Sequence, residues 1–309
     1  MSAVPKVVVI AGPTAGGKTR LSVELALRLG GEIVNADSMQ VYRGMDVGTA
    51  KPSIEERKGV PHHLLDLVNP DEEFNAAMYR ARALPVIRDI RARGRGCLVV
   101  GGTGLYLKAL MGGLFDVPPS DGELRAFLRR ACRTHGVQVL HEKLRLLDSG
   151  SAERIHPHDE VRIVRALEIL FMTGRRPSEL SREHAFGDRP LDVLKLCLDV
   201  NREYLYGRID RRATQMMEGG LVPEVEALLA KGYSPELKSM KSIGYRHVVN
   251  YLRGHWTLEE AFYFLKRDTR RYAKRQLTWF RGDSEFVWIS PEDPAAATRM
   301  IEGFLDGQY

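Results

Sequence analysis

A chain of 309 residues can form one large domain or two ordinary ones, and 44% apolar with 28% charged residues is the composition of an ordinary soluble protein. No apolar run is long enough to span a bilayer and no basic-then-apolar leader follows Met1, which argues against a membrane protein or an exported one; a cytoplasmic location is expected. Cys97, Cys132 and Cys197 form no C-x-x-C pair, so neither a disulfide framework nor a zinc site is indicated, and they read as buried small residues or isolated thiols. The net charge of +6 is unevenly placed: Lys238 to Arg281 holds eleven Lys and Arg against three acids, while the rest of the chain is slightly acidic. That segment is either a docking surface for a polyanion or a solvated helix face.

In chain order, the apolar run Lys6 to Ala11 reads as a buried strand. Gly12-Pro13-Thr14-Ala15-Gly16-Gly17-Lys18-Thr19 then matches G-x-x-x-x-G-K-[ST], and a helix is expected over Arg20 to Leu29. In such a loop the backbone N–H groups and the helix N-terminus face phosphates, Lys18 adds a cation and Thr19 offers a hydroxyl to a metal ion. The loop does not say whether the phosphates belong to a nucleotide. Glu32 to Asn35 forms a second strand running into Asp37-Ser38-Met39-Gln40, which puts Asp37 at the carboxyl end of the sheet near the phosphate loop. There Asp37 binds metal, takes a proton from a substrate, or caps the next helix.

Arg43 to Pro70 shows little periodicity and reads as a long ordered loop, in which the adjacent pair His62-His63 is structural rather than chelating. Asn75 caps a helix to about Arg93, kinked at Pro85, with Met78, Leu84, Ile87 and Ile90 partly buried. Cys97 to Val100 is a third strand leading into Gly101-Gly102-Thr103-Gly104. A hydrolytic P-loop enzyme usually places a metal-directing Asp there. The glycines instead suggest close passage of a substrate that Thr103 touches, or a plain turn of the chain.

From Asp116 to about Pro190 helix formers and arginines dominate, with helices over Glu123 to Cys132, Val137 to Leu147 and Glu160 to Met172; Arg162 and Arg165 lie opposite an apolar face containing Val161 and Val164. Val193 to Leu198 resumes the sheet, and Asn201 begins a helix whose Arg208 and Arg212 share one face. Two guanidiniums there suit a pyrophosphate, or pair with Glu203 and Asp210. Ser242-Ile243-Gly244-Tyr245-Arg246-His247 follows. Then Leu258 to Phe280 forms a long helix with Lys266, Arg267, Arg270, Arg271, Lys274 and Arg275 interleaved with Tyr263, Tyr272, Trp279 and Phe280, a composition suited to single-stranded RNA. A last strand at Phe286 to Ile289 and a helix from Pro291 complete an α/β fold: a P-loop core with a parallel sheet flanked by helices (1–115 and 191–309) and an inserted helical lobe (116–190).

Together the P-loop, Asp37-Ser38-Met39-Gln40-Val41-Tyr42, Gly48-Thr49-Ala50-Lys51-Pro52, His62-His63-Leu64-Leu65-Asp66, Gly101 to Tyr106, Ile155-His156-Pro157, Arg165-Ala166-Leu167-Glu168, Gly244-Tyr245-Arg246 and Tyr272 to Trp279 resemble, in order and over nearly the whole chain, the tRNA dimethylallyltransferases. The resemblance implies prenyl transfer from dimethylallyl diphosphate to N6 of adenosine 37, beside the anticodon of tRNAs reading codons that begin with U. It assigns Asp37 as general base, Thr103 to the target adenosine, and Lys18, the loop Gly12 to Thr19, Arg208, Arg212 and a Mg²⁺ held through Thr19 to the diphosphate. It implies that Asp37, Ser38, Met39, Gln40, Thr103, Ser242, Ile243, Gly244, Tyr245, Arg246, His247, Arg271, Lys274 and Arg275 meet the tRNA. The lobe is expected to grip the anticodon stem-loop through Arg125, Arg162 and Arg165, with Val161 where relatives often carry Gln. No membrane partner and a monomer are expected.

Overall fold

The computed structural model describes residues 4–185 and 187–307; the first positions after Met1, read above for a leader, lie outside them. Two compact units emerge, one from 1–111 with 190–309 and one from 112–189.

The first unit is built on six parallel strands: β1 (Lys6–Ala11), β2 (Glu32–Asn35), β3 (His62–His63), β4 (Cys97–Gly101), β5 (Asp192–Leu198) and β6 (Val287–Ile289), in spatial order β3-β2-β4-β1-β5-β6. β1 is central, with Val8 opposite Leu98 on one side and Leu194 on the other. Val7 to Ala11 are all buried, as a strand covered on both faces requires, which is why β1 reads as unbroken apolar sequence. The helices of this unit are α1 (Lys18–Arg28), α2 (Ile54–Arg57), α3 (Ala76–Ala92), α4 (Gly104–Gly112), and, after the second unit's α5 (Gly122–His135), α6 (Val137–Leu147), α7 (Ser149–Ala152), α8 (Glu160–Thr173) and α9 (Pro177–His184), α10 (Arg202–Glu218), α11 (Leu221–Ala230), α12 (Tyr245–Leu252), α13 (Leu258–Arg281) and α14 (Pro294–Leu305). Because every strand runs the same way, the loops after β1, β2 and β4 emerge at one edge of the sheet.

Two expectations change. The stretch 43–70 is not a plain loop: it contains α2, capped reciprocally by Ser53 and Glu56, and β3, which pairs with Ile33 and Val34 at the sheet edge. His63 faces the buried Glu32 at 2.7 Å, a structural role. On α3 the buried face is Tyr79, Ala83, Ile87 and Ile90, whereas Met78 points outward. Asn75 does cap this helix, accepting from the Ala77 and Met78 amides, and the helix continues through Pro85. All three cysteines are buried.

The irregular part of 43–70 is tied down by side chains. Lys51, almost fully buried, donates to the Tyr42 carbonyl (2.8 Å) and to Asp46 and Asp66 (2.5 Å each). Glu224, in the first turn of α11, accepts the amides of Asp46, Val47 and Gly48 at 2.7–3.1 Å, as well as the Tyr245 hydroxyl.

The second unit packs α5, α6 and α8 around Leu128, Cys132, Leu140, Leu144, Ile163, Val164 and Leu167. Two elements unread in the sequence, α7 and α9, are joined through buried Asp148, which accepts the Ser151 amide and hydroxyl and the Ser178 amide. Among the described residues no helix is long and apolar enough to cross a membrane.

Candidate active site

The loop between β1 and α1 is a preformed cradle. Gly17 takes φ 100°, a conformation open to glycine, and begins α1 with no side-chain cap and no acid in the first turn, so the helix N-terminus keeps its partial positive charge. The Gly16 amide closes onto the Pro13 carbonyl at 3.0 Å, and Lys18 Nζ bends back to the carbonyls of Gly12 (3.0 Å) and Pro13 (2.8 Å). Burial lowers the Lys18 ammonium to about 8; the Asp37 carboxylate opposes that shift and Arg212 adds to it.

A cavity of about 810 Å³ opens over this loop, lined by Thr14 to Arg20, Asp37, Gln40, Arg208 and Arg212 among others. Arg208 holds its guanidinium over Gly17, at 3.5 Å from where a Cβ would stand, and stacks on the Tyr204 ring at 5.6 Å. Arg212, one turn on, donates to the Thr49 carbonyl at 3.3 Å; burial lowers its basicity and the charge of Asp37 opposes this. The pairing of Asp210 with these arginines does not occur, because Asp210 is taken by Arg270 at 2.5 Å. Among the described residues no carboxylate forms an ion pair with Arg208 or Arg212, so both remain available to an anion.

Asp37 opens a tight turn rather than capping a helix. Its Oδ1 accepts from the Met39 (2.8 Å) and Gln40 (3.4 Å) amides, while Asn35 Oδ1 accepts the Asp37 amide. Thr103 Oγ1 accepts the Ser38 amide at 3.0 Å, and the Thr103 amide donates to Ala36, so Thr103 fastens the segment that carries Asp37. The glycines beside it answer to the protein itself rather than to substrate passage. A Cβ on Gly101 would collide with the Ala36 backbone, one on Gly102 with Gln276, and one on Gly104 with the Trp279 indole.

A second cavity of about 300 Å³ lies beside the first. Its apolar wall is Met39, Ile209, Ala213, Met216, Ile243 and Leu265; Ser38, Ser242, Arg246, Tyr272 and Arg275 supply polar groups. Thr14, Asp37 and Arg212 line both cavities, which puts the carboxylate at their boundary. Arg246 is held by Asp268 at 2.5 Å; Asp268 also accepts from Arg267 and from His247, and these partners outweigh burial and keep its carboxyl well below the usual range.

Several residues assigned to RNA are engaged within the protein. Tyr245 is wholly buried with its hydroxyl on Glu224 (2.5 Å), and His247 is buried with Nδ1 accepting the Gly244 amide, its imidazole lowered to about 4 by burial and then by Arg246. Gln40 gives its amide to the Thr49 and Ala50 carbonyls. Phe280 packs on Phe286 in the core, and Arg267 and Arg270 are half-buried and ion-paired; the exposed aromatic and basic groups of α13 are Tyr263, Trp279, Arg271 (3.8 Å from Asp268), Lys274, Arg275 and Arg281. In the second unit Arg125 and Arg165 both grip the buried Glu168 at 2.8 Å, outweighing the burial that would raise its carboxyl. Val161 is 71% exposed and so not on the apolar face, and Arg162 projects beside it near Asp159.

One functional candidate was missed. Gln276 of α13 is buried, accepts the Thr14 amide (2.8 Å) and donates to the Gly102 carbonyl (2.9 Å). The signal was there: a polar residue on the apolar stripe Leu265, Ala273, Phe280.

Thr19 and Asp37 also share a narrow cleft with Asn35 and Gln40. A hydroxyl and one carboxylate beside a phosphate cradle form an oxygen donor set that suits Mg²⁺, which typically takes its remaining ligands from phosphates and water.

The IPP transferase family model matches residues 40–283. The chain is 52% identical over 301 residues to tRNA dimethylallyltransferase 2 of Geotalea uraniireducens, covering 97% of each, and 54% identical over 284 residues to the tRNA dimethylallyltransferase of Geobacter sulfurreducens, covering 92% of this chain and 91% of the relative. Among solved structures it resembles the full-length tRNA isopentenylpyrophosphate transferase of Bacillus halodurans (TM-score 0.73, 43% identity, 98% and 97% covered). It also resembles a eukaryotic dimethylallyltransferase acting on tRNA (TM-score 0.81, 31% identity, 97% and 79% covered). On this likeness, spanning nearly its full length, the chain belongs to the IPP transferase family.

Proposed function

We propose that this chain is a tRNA dimethylallyltransferase that moves the dimethylallyl group of dimethylallyl diphosphate to N6 of adenosine 37 in tRNAs reading codons that begin with U. The observation that carries the reading is the position of Asp37, on the boundary between a cationic phosphate cavity and a smaller, more apolar one. The diphosphate lies in the first, against the loop amides, Lys18, Arg208 and Arg212. The adenine enters the second, between the apolar wall and the polar groups of Ser38, Arg246 and Tyr272, after leaving the anticodon stack.

In the reaction the bond from the allylic carbon to the diphosphate oxygen breaks and a bond from that carbon to N6 forms. The N6 proton passes to Asp37, since the amine lone pair is delocalised into the purine and the nitrogen becomes acidic as it is alkylated. The leaving diphosphate gains charge, which the fixed amides, ammonium and guanidiniums are already oriented to receive. A Mg²⁺ bound through Thr19 would supply further neutralisation of the diphosphate. The adenine seated against the apolar wall closes the boundary between the cavities, which keeps water from intercepting the allylic carbon.

The exposed cations of α13 and of the second unit are proposed to meet the anticodon stem-loop, and a monomeric, cytoplasmic enzyme accords with that role. The test is transfer of labelled dimethylallyl to an unmodified tRNA carrying A36-A37, with ATP followed in parallel. Label in RNA, diphosphate released and ATP untouched is the expected result. No label in RNA together with ATP turnover on a small acceptor would replace this reading with a kinase.

A further inference from the structure

The geometry points to Gln276 as the positioning residue that sets the donor cradle against the acceptor loop, an inference that rests on the transferase reading above. A single carboxamide spans the two halves of the site. Its oxygen accepts the Thr14 amide of the phosphate loop at 2.8 Å, and its nitrogen donates to the Gly102 carbonyl at 2.9 Å. Gly102 is followed by Thr103, whose hydroxyl takes the Ser38 amide next to Asp37. The chain of contacts therefore runs from diphosphate loop to Gln276, to the β4 loop, to the base. The fit is close on every side, because Gly102 has no room for a Cβ against Gln276 Nε2 and the Tyr272 phenol lies against both Thr103 and Gln276.

Gln276 also lines the phosphate cavity, but both polar atoms of its carboxamide are committed to the backbone of the two loops; it fixes a distance. An in-line transfer between two separately bound substrates is sensitive to that distance, and a misplacement of about 1 Å costs roughly 100-fold in rate. Substrate binding depends on groups that Gln276 does not replace, namely Lys18, the arginines and the apolar wall. Loss of the bridge should thus appear in kcat and spare KM.

The test uses the full chain with tRNA and dimethylallyl diphosphate and compares wild type, Gln276→Met and Gln276→Glu. Gln276→Met removes both hydrogen bonds at similar volume; its kcat is expected to fall roughly 10- to 100-fold with each KM within about threefold. Gln276→Glu supplies the readout that simple loss of packing does not move. Protonated, the carboxylic acid repeats the carboxamide's pattern, accepting from Thr14 and donating to Gly102; ionised, it has no proton to donate and opposes the Gly102 carbonyl. Its kcat relative to wild type should therefore rise as pH falls from about 8 to about 5.5, while the Gln276→Met ratio stays flat. A Gln276→Met enzyme with wild-type kcat, or a Gln276→Glu ratio that does not change with pH, overturns the inference. Should Gln276→Met fail to fold, the Gln276→Glu profile decides alone. An inactive wild type would instead sink the transferase reading, and this inference with it.

Discussion

Affinity for diphosphate should depend on pH in a way that Lys18 dictates. Its ammonium is lowered from 10.5 to about 8, first by burial and further by Arg212, against the pull of Asp37. An anion seated between the loop amides and Lys18 binds the protonated form and raises that pKa back. The terminal phosphate of an organic diphosphate ester has already lost its last proton near pH 6, so above neutrality that ligand's charge is constant. The sign follows: affinity is fully present below about 8 and lost as pH rises through it, by roughly tenfold per unit once Lys18 is neutral in the free protein. Calorimetric titration of dimethylallyl diphosphate, without tRNA, between pH 7 and about 9.5 reads this directly, and buffers of different ionisation heat should show proton uptake approaching one per site at the alkaline end. Lys18→Arg, which stays charged throughout, should flatten the profile. A wild-type affinity that is flat over this range, or a Lys18→Arg slope equal to it, would refute the assignment.

Three further outcomes are expected. Asp37→Asn retains an oxygen for the Met39 amide but cannot take the N6 proton, so tRNA binding should persist while kcat falls by about 100-fold or more; transfer at the wild-type rate would remove Asp37 as base. Glu32 is held at about 2, chiefly by its hydrogen bonds to Arg93 and with help from His63, against burial. Its contribution of about 3 kcal/mol is therefore present above the ordinary carboxyl range near 4.5 and lost as pH falls from there toward 2, and urea unfolding of wild type and Glu32→Gln should converge over that interval. Glu168→Ala strips Arg125 and Arg165 of their shared partner and should destabilise the helical unit by about 2 kcal/mol, less than a fully buried pair because both guanidiniums reach solvent. Limited proteolysis should then cut within 112–189 first, and equal resistance would count against the pairing.

How much of this could be read from residue order depends on the range of the contacts involved. β1, the phosphate loop and α1 are specified by neighbours in sequence: an apolar run, glycines, a lysine and a helical apolar spacing. β3 was not legible, because two histidines in a stretch rich in glycine and proline show no strand pattern and become a strand only by pairing with Ile33 and Val34. The motif at Ser242 to His247 was visible as a motif, yet its order could not tell which side chains face inward; Tyr245 and His247 do, on Glu224 and Asp268, while Ser242, Ile243 and Arg246 line the smaller cavity. Charge counting located the basic helix but counted Arg267 and Arg270 as free, since their partners lie on the helix itself and, 60 residues away, at Asp210. Gln276 was passed over for the same reason: its two partners come from loops 262 and 174 residues away.

Arg208 and Arg212 looked equivalent as an i, i+4 pair, and their surroundings now separate them. Arg208 lines only the phosphate cavity of the two, leaning over Gly17 on the Tyr204 ring. Arg212 borders both cavities, is tied to the Thr49 carbonyl, and acts electrostatically on Lys18 and with Asp37. Removing a charged hydrogen-bond donor to an anion costs about 1.5–3 kcal/mol, so Arg208→Ala should raise KM for dimethylallyl diphosphate by roughly 10- to 100-fold with little effect on KM for tRNA. Arg212→Ala should weaken both substrates and lower kcat. It should do one thing more. Because the Arg212 charge helps to hold Lys18 down, its loss lets the Lys18 pKa rise, and the alkaline fall in diphosphate affinity should move to higher pH in Arg212→Ala. In Arg208→Ala that midpoint should stay where it is in the wild type. If both variants shift the midpoint equally, or neither does, the two arginines do not divide the site as the geometry indicates, and the boundary position of Arg212 loses its chemical meaning.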